Sequence, residues 1–124
     1  MKNTRIIVIA VSMLAASAAC LVFYFLPSQI RVQNETGHDF VVVTVANESR
    51  GEAHSLGSVK TGATSQYSRV RSAYADASVF TTDAKGYSWN ARIMNTSDRL
   101  RPGRYTYILR VDTNDMLELT LRKD

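Results

Sequence analysis

The chain has 124 residues, a formal net charge of +4, one cysteine and two histidines. Lys2 and Arg5 stand ahead of an uncharged stretch, and from Ser28 onward thirteen Lys and Arg face eleven Asp and Glu, so there is no basic excess of the kind that nucleic-acid binding requires. Cys20 lies within the uncharged stretch, which leaves the remaining 97 residues from Ser28 without an internal disulfide and dependent on sheet pairing and a hydrophobic core.

The first element is Ile6–Leu26, twenty-one residues without charge, Pro or Gly, closed by Pro27. As a helix it spans about 31 Å, one bilayer hydrocarbon core. Basic residues before it and only Arg31 soon after it place the N-terminus in the cytoplasm and the rest outside, which predicts a single-pass signal anchor of the inner membrane over residues 1–27 and an exported, periplasmic domain over residues 28–124. Two other fates compete. Ala16-Ser17-Ala18 is a small-x-small cleavage site, although cutting there strands an apolar tail from Cys20 to Leu26. Ser17-Ala18-Ala19-Cys20 resembles a bacterial lipobox, which implies acylation of Cys20, with Ser17 standing where Leu is usual. A prepilin is set aside, because the apolar stretch follows no Gly cleavage site and carries no early Glu.

From Gln29 the period changes to strand alternation. Ile30 and Val32 oppose Arg31 and Gln33, and Asn34 to Gly37 reads as a turn. Phe40 to Ala46 is β-branched and apolar on both faces, a central strand. Two shorter strands follow, over His54 to Lys60 and Ser65 to Arg71, with Leu56, Val59, Tyr67 and Val70 as inward residues and irregular spacing that predicts an edge or a bulge. Ala77 to Thr82 and Tyr87 to Met94 flank a hairpin connection ending in Gly86, with Trp89 on the inward face. Arg101-Pro102-Gly103 reads as a type II turn launching Arg104 to Val111, and Leu117, Leu119 and Leu121 alternate in the last strand.

About eight strands at ten-residue intervals predict an all-β fold, a small antiparallel sandwich, with a barrel as the second choice. The phrase Leu100-Arg-Pro-Gly-Arg-Tyr-Thr-Tyr107 is similar to the Pro-Gly-x-Tyr lead-in to a late strand in immunoglobulin-like and transthyretin-like sandwiches. That resemblance implies a fold and carries no function.

Chemistry-bearing constellations are sparse. His38, Asp39, Glu52 and His54 would form a metal site only if two turns met at one end of the sandwich. No G-x-S-x-G elbow, paired carboxylates or phosphate-binding glycine loop stands out, so neither a catalytic residue nor a cofactor is expected. Three Asn-x-Ser/Thr triplets, at Asn34, Asn47 and Asn95, are incidental in a bacterial chain. Arginine outnumbers lysine ten to three after Ser28, and Arg92, Arg99, Arg101 and Arg104 surround one loop near Tyr74, Tyr87, Tyr105 and Tyr107. Arg and Tyr recur at binding hot spots, so this loop is the candidate protein-binding site. The structural alternative is that Tyr105 and Tyr107 fill the core and the arginines solvate its rim. The expected function is a membrane-anchored, non-catalytic domain that binds a protein partner of the envelope, as an accessory subunit or a toxin-immunity protein. Envelope polysaccharide binding comes second and a small hydrolase third.

Overall fold

Alternation from Ser28 onward becomes strand throughout. The structure, a computed structural model, describes residues 10–17, 27–47, 51–73, 75–93 and 100–124. Its strands are β1 (Ser28–Asn34), β2 (Phe40–Asn47), β3 (Glu52–Val59), β4 (Ser68–Val70), β5 (Ser78–Asp83), β6 (Ser88–Arg92), β7 (Arg104–Val111) and β8 (Leu117–Lys123). They form two four-stranded sheets, ordered β4-β1-β7-β8 and β3-β2-β5-β6. The fold is therefore an all-β sandwich. Residues 10–17 are helical and exposed. Among the described residues no helix is long and apolar enough to cross a membrane. Most of Ile6–Leu26, Cys20 included, lies outside the described residues, as does Arg99.

The core follows from the register. Ile30, Val32 and Asn34 of β1 stand opposite Tyr105, Tyr107 and Leu109 of β7, all directed between the sheets. From the second sheet Phe40, Val43, Val45, Val79 and Ala91 meet them. Burying side chains such as Tyr107 and Phe40 contributes about 1.5–3 kcal/mol each. Among the described residues, the buried core cluster lies between Ile30 and Leu119. Among the described residues, 28–124 thus hold all the strands and the whole core, and a stretch of that length is large enough to fold without the residues before it.

Four details depart from the sequence expectation. β1 pairs with β7 in parallel, so one sheet is mixed, whereas every other strand pair is antiparallel. Alternation fixes which face a side chain takes, and both pairings satisfy it. Tyr67 does not point inward. It lies on the outside of the first sheet between the guanidinium groups of Arg31 and Arg104, 4.6 and 5.1 Å from its ring centre. β2 is not buried on both faces: a register shift near Phe40 leaves Val41 and Val42 exposed. Finally, Gly103 does not take the positive φ that position three of a type II turn demands, unlike Gly86 at 88° in the β5–β6 hairpin.

One side chain ties the two sheets together. Asn34, fully buried, donates from Nδ2 to the carbonyls of His38 (2.7 Å) and Val59 (2.9 Å). Its Oδ1 accepts from the Thr36 amide and hydroxyl. A residue that reads as the start of a turn is in fact the polar pin of one end of the sandwich.

Candidate functional site

The two ends of the sandwich are defined by what they hold. At one end Ser28 opens β1, Leu100 donates its amide to the Ala73 carbonyl, and Ile93 donates to Ala77. The Asn34–Val59 and Asp39–Thr61 contacts mark the opposite end. His38 and Asp39 belong to that opposite end, while Glu52 and His54 line a cavity with Ile30 and Val70 near the Ser28 end. The four do not converge, and among the described residues no group of three or more His, Cys, Asp or Glu has metal-site geometry. The cavity beside His54 measures about 20 Å³, room for roughly one water. His54 Nε2 is buried there with no hydrogen-bond partner among the described residues.

The predicted arginine loop lies at the Ser28 end. Arg92, at the close of β6, grips both carboxylate oxygens of Asp76 at 3.2 Å. Arg104 leans over Tyr67, and Arg101 is exposed, its carbonyl accepting the Tyr105 hydroxyl. Tyr105 and Tyr107 are core residues, and burial pushes the Tyr105 phenol pKa upward. Tyr87 is exposed in the β5–β6 hairpin, away from this loop, and Tyr74 lies outside the described residues. Arg92, Arg101 and Arg104 share one end of the molecule, but Tyr87, Tyr105 and Tyr107 do not join them as a surface.

Asp124 organises the neighbouring surface. Its carboxylate accepts from the Thr106 hydroxyl (2.6 Å) and the Tyr67 hydroxyl (2.7 Å), with Arg31 and Arg122 alongside. Burial works to raise its pKa, but the hydrogen bonds from Thr106, Tyr67 and Arg122 and the Arg31 charge outweigh it and hold the pKa below the ordinary aspartate value. The same bond to Asp124 raises the Tyr67 phenol.

Charge is distributed unevenly between the ends. The half containing Ser28 holds Arg31, Arg69, Arg71, Arg92, Arg101, Arg104, Arg122 and Lys123 against Glu52, Asp76 and Asp124. The other half holds Lys60, Lys85 and Arg110 against Glu35, Asp39, Asp83, Asp112, Asp115 and Glu118. Among the described residues, eight basic against three acidic side chains give +5 at one end, and three against six give −3 at the other.

The outer faces of the two sheets also differ. On the first, Arg31, Arg69, Arg104, Arg110, Glu118 and Arg122 alternate with the buried positions of their strands. On the second, the side chains directed away from the core fall in the rows Ser55–Thr44–Phe80–Asn90, Ala53–Ala46–Ser78–Arg92 and Val42–Thr82–Ser88, of which Ala46 and Ser78 are buried. Arg92, at the corner and paired with Asp76, is the charged residue of those rows. Phe80 stands near the centre at 41% exposure, beside the exposed Val42. Solvent-facing sheet surfaces ordinarily alternate apolar-in with polar and charged-out. This one presents small, uncharged side chains around an aromatic ring. Sequence reasoning passed over it, although the signal was present: the outward positions of β2, β5 and β6 contain no Lys, Asp or Glu.

No protein-family model matches the chain, and no curated protein matches it. Among solved structures, it is similar to the NMR structure of a protein from Eubacterium rectale, with a TM-score of 0.59 at 13% identity, over 79% of this chain and 90% of that one. At that identity the likeness is one of fold alone.

Proposed function

We propose that this chain is a membrane-tethered, extracytoplasmic, non-catalytic domain that binds another protein of the cell envelope through the outer face of β3-β2-β5-β6. The observation that carries the reading is the uncharged face around Phe80. Interface cores are depleted of charge and enriched in aromatic residues, and a flat face of Ala, Ser and Thr lets another surface approach closely. The partner is a protein with a similarly flat, uncharged patch and a recess for one aromatic ring. The tether reading is supported by the uncharged stretch 6–26, helical through residues 10–17, with Lys2 and Arg5 ahead of it. Acylation at Cys20 is the second form of the tether and keeps the domain on the same side.

Within the sandwich class, the strand order favours the transthyretin-like arrangement. An immunoglobulin sandwich sets its first strand beside its second. Here β1 lies between β4 and β7, and β2 belongs to the other sheet.

The test compares full-length protein and a Phe80→Asp variant, each extracted from membranes with detergent and captured by an affinity handle. The wild type is expected to bring down one stoichiometric protein, and the variant to lose it while its thermal midpoint stays near wild type. Equal recovery by both forms, or no stoichiometric partner for either, overturns the reading. An Arg101→Ala/Arg104→Ala variant separates the competing form, in which the arginine loop makes the contact. It is expected to retain the partner.

A further inference from the structure

The Ser28 end of the sandwich carries net +5 among the described residues, and it is the end at which the chain arrives from the apolar stretch. Only Pro27 separates Leu26 from the first residue of β1. Two residues of fully extended chain reach about 7 Å. A domain so closely coupled cannot hold that end far from the surface into which residues 6–26 insert.

We infer that the basic end docks on anionic phospholipid headgroups of the bilayer to which the chain is tethered, holding the domain with its acidic end outward. Arg69 lies within β4 and Arg71 follows it, Arg101 and Arg104 precede and open β7, and Lys123 closes β8 beside them. All five side chains are exposed. They come from β4, β7 and β8 of one sheet and its adjoining loop, and Arg69 and Arg104 share a row across Gln29 of β1, so the fold gathers them into one rim and they are not a single charged peptide. Arg122 and Arg31 are already held by Asp124, Arg92 by Asp76, and Arg104 rests over the Tyr67 ring, which leaves Arg69, Arg71, Arg101 and Lys123 as the remaining basic side chains of this end. Each basic side chain brought to an anionic bilayer surface adds to the attraction, and the field decays within a Debye length of about 10 Å at 0.1 M salt. Contact at close range is therefore required, and the short connection at Pro27 supplies it. The outward direction of the Phe80 face is consistent with this docking, since that face runs along the side of the sandwich and not across its basic end.

The orientation rests on the tether reading, and the experiment keeps the two apart. Residues 28–124 are mixed with vesicles of phosphatidylcholine alone or with about one-third phosphatidylglycerol, and binding is read by co-sedimentation at low and high salt. The expected result is binding to the anionic vesicles only, reduced at least tenfold between 0.05 and 0.5 M salt. An Arg69→Glu/Arg71→Glu/Arg101→Glu/Lys123→Glu variant is expected to lose that binding with unchanged circular dichroism. A Lys60→Glu/Lys85→Glu variant, altered at the opposite end, is expected to retain it. Absence of binding, equal binding to neutral vesicles, or wild-type binding by the fourfold variant overturns the inference. So does loss of the protein partner, in place of vesicle binding, in the fourfold variant, because it assigns the rim to a protein interface. Carbonate extraction of the full-length chain tests the tether separately. A chain released by carbonate, paired with a fragment that binds anionic vesicles, removes the tether and leaves the headgroup site standing.

Discussion

Asn34 and Asp83 show how single polar side chains hold the acidic end of this sandwich. Removing the Asn34 amide leaves the carbonyls of His38 and Val59 without their donor at a buried position. Asn34→Ala is therefore expected to cost about 2–3 kcal/mol in urea unfolding, and a loss below about 0.5 kcal/mol would contradict the role assigned to it. Asp83 accepts from the Trp89 indole at 3.1 Å and from the Tyr87 and Lys85 amides at 2.9 Å, and these bonds, Trp89 first, lower its pKa from the ordinary aspartate value. Glu35 is lowered as well, chiefly by its hydrogen bond from Arg110. A carboxylate whose pKa is depressed in the folded state contributes stability that is fully present above its unfolded pKa of about 3.9 and is lost as pH falls through the folded value. Asp83→Asn is accordingly expected to be less stable than wild type at pH 7, with the gap closing toward pH 2 as the wild-type carboxyl protonates. Urea midpoints at both pH values decide it, and a gap independent of pH would show that the charge at Asp83 is immaterial.

At the scale of strands, alternation carried most of the fold. Leu117, Leu119 and Leu121 in β8, and Tyr105, Tyr107 and Leu109 in β7, occupy the inward positions that their spacing predicts. The stretch Phe40 to Ala46 was likewise legible as a central strand, although the register shift that exposes Val41 and Val42 was not. What alternation cannot encode is which strand lies beside which. The parallel β1–β7 pair joins residues 75 positions apart, and nothing local to either announces the other. Tyr67 illustrates the same limit, because its place between Arg31 and Arg104 depends on the pairing of β4 with β1. The candidate site divides in the same way. The arginines were visible as a cluster in sequence, but their common end, the Arg92–Asp76 pair and the uncharged rows around Phe80 appear only once the strands are ordered. The order of the sheets also predicts a protection pattern. Amides of the central strands β1, β7, β2 and β5 are expected to exchange slowest with deuterium, and those of the short edge strand β4 fastest, since β4 is bonded on one side only. Equal protection of β4 and β7 would contradict the strand order.

For the whole molecule, the polarity of charge and the difference between the two outer faces belong to one account. In the proposed arrangement the basic end meets the anionic surface, the acidic end points away, and the uncharged face is left at the side for a protein. The basic end does not conflict with the orientation drawn from the N-terminal flank. Only Arg31 lies close behind the apolar stretch in sequence, and a domain beyond it translocates largely regardless of its charge. The central claim is that the face around Phe80 meets a partner protein. The most direct measurement is site-specific photo-crosslinking in cells, with the reactive residue placed at position 80 and, separately, at position 120 on the outer face of β8. One discrete protein adduct from position 80, and none of that mass from position 120, is the predicted result. No adduct from position 80, or the same adduct from both positions, would contradict it.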